Sequence, residues 1–187
     1  MITFITPDYI RGGNENHNKW LSEKYKEDKH FFDDTFKIFL AGTIDNGEAD
    51  DWQYNVFLHL TMYTEVFNDN SINNFKNFTV FSPRRKNWKE DATQEDIEEQ
   101  IKWEQEKLDE VDLIVMVLQD NSKSPISLLE LGLYGPAGKL ICFCTPNFYR
   151  YTNVKLTCEK WNIPLIESTK SEDIYSELIK IYKECNL

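Results

Sequence analysis

The segment SPISLLELG, residues 124–132, carries a carboxylic acid, Glu130, inside an apolar run. At about 100° per residue, Ile126, Leu133 and Ala137 fall within about 60° of Glu130, so a helix would place the acid on their apolar face. Partial burial disfavours the charged form of such a carboxylate, whereas a nearby helix N-terminus favours it. This setting predicts a nucleophile or a base. The alternative is that Glu130 reaches water or pairs with a lysine, as most glutamates do.

A second carboxylate, Glu104, occupies a similar position in another predicted helix. Within residues 93–110, the spacings are four, three and four residues between Ile97, Ile101, Glu104 and Leu108. Because that spacing keeps side chains on one helical face, the acid shares the apolar side of its helix. The sequence therefore predicts two carboxylates, Glu104 and Glu130, that face the core.

The elements that must position these acids alternate between strand and helix. Apolar runs with the form of buried strands lie at 37–42, 78–83, 111–118 and 139–145, with a weaker one near 164–166. Amphipathic helices are predicted at 50–66, at 93–110, from 125 onward and at 171–185, and a loop rich in Tyr, Arg and Asn follows residue 145. This alternation predicts an α/β fold, a parallel sheet with helices on both faces. Residues 1–36 are polar and irregular, and we interpret them as an extension or lid.

The helix that carries Glu130 should begin at the carboxyl edge of the sheet. The preceding strand ends near Leu118, and Ser124 followed by Pro125 is a pair that favours helix initiation. We therefore expect Ser124 to cap this helix. Doubly wound folds bind their ligands at this edge of the sheet, so Glu130 is predicted to lie near a crevice.

Composition and charge restrict the partners of the protein. The formal net charge is −11, and a polyanionic partner needs a clustered basic surface, so we expect no binding to nucleic acid or to an anionic membrane. The cysteines at 142, 144, 158 and 185 form no C-x-x-C pair and are interpreted as reduced thiols. With three histidines in the chain, we expect no metal or other cofactor. No leader and no membrane-length apolar stretch is found, which predicts a soluble cytoplasmic protein.

Several familiar motifs are missing from the chain. A serine hydrolase would carry G-x-S-x-G, and a P-loop would carry G-x-x-x-x-G-K-[S/T], but neither pattern occurs. After the first long strand the chain reads AGTIDNG, residues 41–47, which is too sparse for the dinucleotide fingerprint G-x-G-x-x-G. Serine-hydrolase, P-loop and dinucleotide chemistry are therefore excluded.

Two polar clusters have both a functional and a structural interpretation. The loop after the first long strand either binds a ligand or forms a turn and a helix cap, and its candidates are Thr43, Ile44, Asp45, Asp51 and Trp52. The basic segment SPRRKNW, residues 82–88, either holds a substrate anion or offsets neighbouring carboxylates through Arg84 and Arg85.

Five motifs in order resemble the nucleoside 2-deoxyribosyltransferase-like family. They are FLAGTIDNG from residue 39, DWQ from residue 51, SPRR-x-x-W from residue 82, WE at 103–104 with a later L-x-x-VD ending at 112, and SPISLLELG from residue 124. The resemblance runs from about residue 37 to residue 166. It implies a flavodoxin-like (Rossmann-like) three-layer fold with a five-stranded parallel sheet.

The resemblance also implies chemistry at the N-glycosidic bond of a nucleoside or nucleotide. In the family, the glutamate of the LLELG motif attacks the anomeric carbon and forms a covalent glycosyl-enzyme, which assigns Glu130 as the nucleophile. Retaining transfer needs a second proton-handling group, and Glu104 would supply it. The turn AGTID, residues 41–45, which includes Gly42, would lie over the base and sugar, and Phe39 before it is a further candidate for substrate binding. Asn153 matches the place where some members contribute an asparagine to a neighbouring subunit, so a homo-oligomer is expected.

Three functions remain open at this point. The first is transfer of the sugar between bases through Glu130. The second is hydrolysis of a nucleoside or of a nucleoside 5′-monophosphate, whose phosphate would fit Arg84 and Arg85. The third is a catalytically silent module that binds a nucleotide in the same crevice, although a pure binder has little use for a costly buried carboxylate.

Overall fold

The elements of the fold follow the predicted alternation of strands and helices. The structure, a computed structural model, describes residues 2–7, 10–11, 23, 34–45, 49–66, 78–85 and 92–185. In chain order these residues form β1 (Ile2–Ile5), β2 (Ile10–Arg11), β3 (Phe36–Gly42), α1 (Trp52–Val66), β4 (Phe78–Phe81), α2 (Gln94–Glu110), β5 (Leu113–Leu118), α3 (Pro125–Tyr134), β6 (Leu140–Cys144), α4 (Tyr151–Trp161), β7 (Leu165–Ile166) and α5 (Ser171–Cys185).

The strands form one sheet in the order β2-β1-β4-β3-β5-β6-β7. All neighbouring pairs are parallel except β1 with β2, so six parallel strands carry a two-residue antiparallel strand at one edge. The three-layer α/β class is confirmed, but the predicted number of five parallel strands is wrong. The additional strand is β1, which pairs with β4 from Ile2 opposite Phe78 to Ile5 opposite Phe81. It lies within the first 36 residues, most of which are outside the described part, so their role as a lid stays a prediction.

Two helical layers cover the two faces of the sheet. On one face, α1 and α5 bury Trp52, Val56, Leu60, Leu178 and Tyr182 against the strands. On the other face, α2, α3 and α4 bury Leu108, Leu131, Tyr134, Val154 and Cys158. The central strand β5 is buried along its whole length, as its uninterrupted apolar sequence LIVMVL predicts. The layer formed by α2, α3 and α4 therefore carries both predicted acids.

The region after β6 differs from the predicted loop, because it contains α4. Val154 and Cys158 are buried and lie four residues apart, which places them on one side of a helix against the sheet. Asn162 ends the helix in the left-handed conformation with φ of 55°. The many polar residues of this segment lie on the outward side of α4, which explains why the composition resembles that of a loop.

Other predictions about the fold have mixed outcomes. Thr93 caps α2 through a reciprocal capping box with Asp96, so the helix begins next to the predicted start at residue 93. The cysteines at 142, 144 and 158 are buried and free, as predicted, whereas the side chain of Cys185 lies outside the described residues. Within the described ranges, no helix combines the length and the apolar character that a membrane span requires.

Candidate functional site

The site lies where two neighbouring strands send the chain in opposite directions. Strand β3 leads through α1 to β4 on one side, whereas its neighbour β5 leads through α3 to β6 on the other side. Such a switch point opens a crevice beyond the carboxyl ends of the strands, and doubly wound folds bind ligands there. Here the segments 43–45 and 119–124 follow β3 and β5 at this point of the sheet.

Gly42 allows the chain to leave β3 in contact with the backbone of β5. Its φ is 133°, and a Cβ atom built on it would lie 2.0 Å from the carbonyl oxygen of Val117. Only glycine fits this position, because any other residue would collide with backbone atoms and would be strained at this φ. The next residue, Thr43, then donates its backbone N–H to the Val117 oxygen at 2.9 Å.

A buried network of hydroxyl groups joins the two loops at the switch point. The Oγ1 of Thr43 lies 2.7 Å from the Oγ of Ser124 and accepts the backbone N–H of Gln119 at 3.0 Å. The Oγ of Ser122 lies 2.8 Å from the Oγ of Ser124 and donates to the Oδ1 of Asp45 at 2.7 Å. These bonds fix the start of α3 relative to β3.

Ser124 does not act as the predicted side-chain cap of α3. It occupies the residue before Pro125, but its φ is 41° and its hydroxyl makes no capping bond. The hydroxyl instead bonds Thr43 and Ser122, so tertiary hydrogen bonds hold Ser124 in a left-handed conformation that non-glycine residues adopt rarely. The predicted position of Pro125 at the first turn is confirmed.

The two predicted acids are electrostatically coupled in the structure. Glu130 on α3 and Glu104 on α2 are both half-buried. Burial, together with the smaller effect of the charge of Glu104, raises the pKa of Glu130 to about 8. Burial also raises the pKa of Glu104, whereas hydrogen bonding by Gln100 and the charge of Arg85 act to lower it. Desolvated carboxyls whose pKa values are raised in this way are a mark of functional sites.

Glu104 is held by a short chain of hydrogen bonds that ends in an arginine. Gln100 donates from Nε2 to the Oε1 of Glu104 at 2.7 Å, and its Oε1 accepts from the Nε of Arg85. The same Nε2 lies 3.3 Å from the carbonyl oxygen of Pro83. Arg85 is thereby joined to Glu104 through the amide of Gln100. No sequence motif signalled Gln100, and the available indication was its position one helical turn before an inward acid.

The apolar face predicted around Glu130 is wrong in its orientation. Ile126, Leu133 and Ala137 are exposed, and the buried residues of α3 are Ser127, Leu131 and Tyr134. Glu130 lies at the border between the buried side of the helix and an exposed apolar side. Similarly, Ile97 and Ile101 are exposed on α2, where Leu108 is buried. Helical spacing identified residues that share a face but could not show whether that face meets the sheet.

Arg84 and Asp51 are used within the fold. The Nη2 of Arg84 donates to the carbonyl oxygens of Ala49 at 2.7 Å and Asp50 at 3.1 Å, and its Nε lies 3.5 Å from Asp51. The Oδ1 of Asp51 accepts the backbone N–H of Tyr54 at 3.1 Å, which caps the first turn of α1. The turn-and-cap interpretation therefore describes Asp51, and a role of either residue in binding stays a prediction.

Other candidate residues lie in different surroundings. Phe39 and Trp52 belong to the buried cores on opposite faces of the sheet, and the indole of Trp52 donates to the carbonyl oxygen of Thr43 at 2.9 Å. Ile44 is half-buried and Asp45 is exposed beside the crevice. Asn153 is exposed on α4, in a groove of about 300 Å³ whose lining is Leu128, Leu131, Gly132, Tyr149, Arg150, Asn153, Val154 and Thr157.

One buried amide was not found by sequence reasoning. Gln53 is fully buried at the start of α1, and neither its Nε2 nor its Oε1 has a hydrogen-bond partner in the described part of the chain. An unpaired buried amide costs about 1–3 kcal/mol, so Gln53 lowers the stability of the fold in this arrangement. A glutamine in an amphipathic helix gives no signal of this kind in a sequence.

Comparison with known proteins identifies the family. A model described as nucleoside 2-deoxyribosyltransferase like matches residues 35–148, which is more than half of the 187 residues. A crystal structure of a conserved protein from Enterococcus faecalis V583 aligns with a TM-score of 0.47 and 15% identity, covering 78% of this chain and 98% of that chain. No curated protein matches. The matched stretch contains the hydroxyl network and both coupled acids, and the chain belongs to the nucleoside 2-deoxyribosyltransferase-like family.

Proposed function

We propose that this protein cleaves the N-glycosidic bond of a deoxynucleoside or nucleoside and transfers the sugar to another base, with Glu130 as the covalent nucleophile. Membership in the family indicates glycosyl transfer or hydrolysis. The observation that carries the proposal is the coupled pair of half-buried carboxyls, Glu104 and Glu130, beside a switch-point crevice. Double displacement at an anomeric carbon uses two carboxyls in this way.

The protonation of the free pair fits the proton balance of the reaction. With its pKa near 8, Glu130 holds a proton at neutral pH, and Gln100 and Arg85 favour the anion of Glu104. In the proposed first step an oxygen of Glu130 bonds to C1′ and the C1′–N bond breaks. The proton of Glu130 passes to Glu104 and from there to the leaving base. The incoming base reverses these steps, so the pair begins and ends with one proton.

A hydrolase is the second candidate, in which water resolves the glycosyl-enzyme. Both arginines that would fit a 5′-phosphate are engaged within the protein, Arg84 with the segment 49–51 and Arg85 with Gln100. The structure therefore favours an unphosphorylated nucleoside over a monophosphate as the substrate. The contact of Arg85 with Gln100 supports the other interpretation, that Arg85 offsets a carboxylate.

Chromatography of the products tests this proposal. Deoxynucleosides, ribonucleosides and their 5′-monophosphates are incubated with the protein, with and without a second free base. We expect release of the first base and formation of a new nucleoside only when an acceptor base is present. Release that is independent of acceptor, without a new nucleoside, would identify a hydrolase. Ligand-dependent stabilisation without release of any base would identify a silent binding module and refute the proposal.

In this proposal the protein forms a dimer, and the second copy of the chain packs beside Glu104 and Glu130. An apolar surface consists of Ile97 and Ile101 on α2 and of Ile126, Leu129 and Leu133 on α3, all exposed. It borders the coupled acids on both helices, and exposed apolar patches of this kind mark interaction surfaces. Between Ser124 and Gly138 the only ionisable groups are Glu130 and Tyr134. In a chain of net charge −11, we place the closest approach of the two copies at the α3 part of this surface, because that part carries the fewest charges.

Leu129→Glu is expected to convert a dimer into a monomer. Leu129 is 67% exposed, so the substitution leaves the fold unchanged while it places a charge in the apolar surface. Met62→Glu is the matched control, because Met62 is 62% exposed on α1 in the opposite layer. Sedimentation equilibrium should give a dimer for the wild type and for Met62→Glu, and a monomer for Leu129→Glu. A monomeric wild type would rule out the second copy and leave the proposed chemistry to be judged by the product assay.

A further inference from the structure

We infer that Gln100 is a positioning residue that couples Arg85 to Glu104 and thereby keeps Glu104 the more acidic member of the carboxyl pair. The inference rests on the proposed function for its meaning in catalysis. Its physical content, the effect of one amide on the proton affinity of one carboxyl, stands independently of any substrate.

The hydrogen bonds of Gln100 fix the orientation of its side-chain amide. An amide has one donor group and one acceptor group, and here the donor faces Glu104 at 2.7 Å while the acceptor receives the Nε–H of Arg85. Because Arg85 is permanently charged and can only donate, it fixes the orientation of the amide. The Nε2 of Gln100 must then point toward Glu104 and the nearby Pro83 carbonyl oxygen at 3.3 Å. Gln100 therefore presents an N–H to Glu104 at all times.

The groups that face Glu104 come from three elements. Helix α3 contributes Glu130 and, behind it, Tyr134, whose pKa is raised by burial and by the charges of Asp109 and Glu130. The segment after β4 contributes Arg85, and α2 itself contributes Gln100. Burial favours the neutral form of Glu104, and among the described residues only Gln100 and Arg85 are found to favour its anion. Removal of the amide should therefore raise the pKa of Glu104, because burial then acts on this carboxyl with less opposition.

The consequence for the proposed reaction concerns release of the proton. Glu104 must accept the proton of Glu130 and pass it to the leaving base. If its proton affinity were as high as that of Glu130, it would retain the proton, and the base would leave as an anion more slowly. The hydrogen bond from the amide opposes the rise in the proton affinity of Glu104 that burial causes, so Glu104 gives up the proton more readily to the leaving base. The active form of the enzyme then carries one proton on the two carboxyls. Its pH–rate profile should be bell-shaped, and the acid limb should follow the lower of the two pKa values of the pair.

Carbon-13 NMR titration of the glutamate side-chain carboxyls measures this effect directly. The resonances of the pair are assigned with Glu104→Gln and Glu130→Gln. Gln100→Leu should raise the lower titration midpoint of the pair by about one pH unit, which is a tenfold change in proton affinity, because a hydrogen bond to a charged group is lost. Gln100→Glu, which cannot donate, should shift it in the same direction. Arg85→Met should shift it less, because the donor to Glu104 remains.

The same helix supplies a matched control. Gln94 donates to the Oε1 of Glu98 at 3.2 Å across the same interval of four residues, but on an exposed surface. Gln94→Leu should leave both midpoints of the pair unchanged. If Gln100→Leu and Gln100→Glu also leave the lower titration midpoint at its wild-type value, as Gln94→Leu should, the inference is wrong. If Gln100→Leu does not fold, Gln100→Met and Arg85→Met carry the same comparison without adding a charge.

Kinetics separate this inference from the proposed function. With an active wild type, Gln100→Leu should move the acid limb of the kcat/KM profile to higher pH by about one pH unit, which is the tenfold change in proton affinity. A uniform loss of kcat at every pH, with an unmoved limb, would indicate a merely structural role and would contradict the inference. The titration midpoint could move as expected in a protein that releases no base from any nucleoside. This result would support the effect of Gln100 on Glu104 and refute the proposed function.

Discussion

Glu130→Gln is expected to reduce base release from a deoxynucleoside by about 10⁴-fold or more, because the amide cannot form the glycosyl ester. Gln has nearly the shape of Glu, so the packing of α3 around Ser127, Leu131 and Tyr134 should be unchanged. The measurement is single-turnover release of the base, followed by chromatography. Glu99→Gln is the control, because Glu99 is exposed on α2. Release by Glu130→Gln at the rate of this control would remove Glu130 from the reaction.

The same substitution has an effect on stability that needs no substrate. Burial raises the pKa of Glu130 from an ordinary 4.5 to about 8, so the folded chain binds this proton more tightly than the unfolded chain. The contribution of Glu130 to the free energy of unfolding is therefore largest below pH 4.5 and is lost as the pH rises to about 8. The uncharged amide of the Glu130→Gln variant has no such loss. For a half-buried group, this variant should exceed the wild type by about 2 kcal/mol at pH 9, and by much less at pH 5.

Denaturant unfolding at the two pH values separates this titration from ordinary packing effects. A substitution that only alters packing changes the free energy of unfolding equally at pH 5 and pH 9. A pH-independent difference between Glu130→Gln and wild type would therefore contradict the burial of this acid. Functional sites commonly lower stability in this way, since a desolvated acid is retained for chemistry and not for folding.

The position of Glu130 was predictable because of a local pattern. An acid one turn inside a helix that starts after a central strand must lie near the carboxyl edge of the sheet, whatever the exact packing. The orientation of the helix was not predictable in the same way. Ile126 and Leu133 are as apolar as buried residues, and the sequence contains no mark that distinguishes a face packed on the sheet from a face left open. That distinction depends on which surface the neighbouring helices α2 and α4 cover.

The relation of Arg85 to Glu104 was also beyond the sequence. The basic segment was recognised, and two uses were left open for it, an anion site or an offset for carboxylates. The choice depends on Gln100, which lies 15 residues away along the chain from Arg85 and joins the two only after β4 and α2 pack together. Strand β1 was missed for a related reason. Four residues, ITFI, form a strand because β4 provides a partner more than 70 positions later. Contacts of this separation are set by the whole fold.

Gly42→Ala is expected to destabilise the protein by more than about 4 kcal/mol, an exceptionally large effect for a single methyl group. The added Cβ would lie 2.0 Å from the Val117 carbonyl oxygen and within 2.8 Å of the Val117 carbonyl carbon. These are backbone atoms of the central strand, which is paired on both sides and cannot move aside. The φ of 133° adds strain that alanine cannot relieve.

Gly132→Ala provides the comparison that isolates this collision. A Cβ at Gly132 meets no atom within 4 Å, and the residue lies inside α3, where alanine favours a helix over glycine by about 0.5–1 kcal/mol. Denaturant unfolding should therefore show Gly132→Ala as stable as the wild type or slightly more stable, and Gly42→Ala as largely unfolded in mild denaturant. If Gly42→Ala were as stable as Gly132→Ala, the close approach of β3 to β5 would be incorrect. Thr43 could then not form the hydrogen bonds that fix the loop after β5, because these bonds require β3 to lie close to β5.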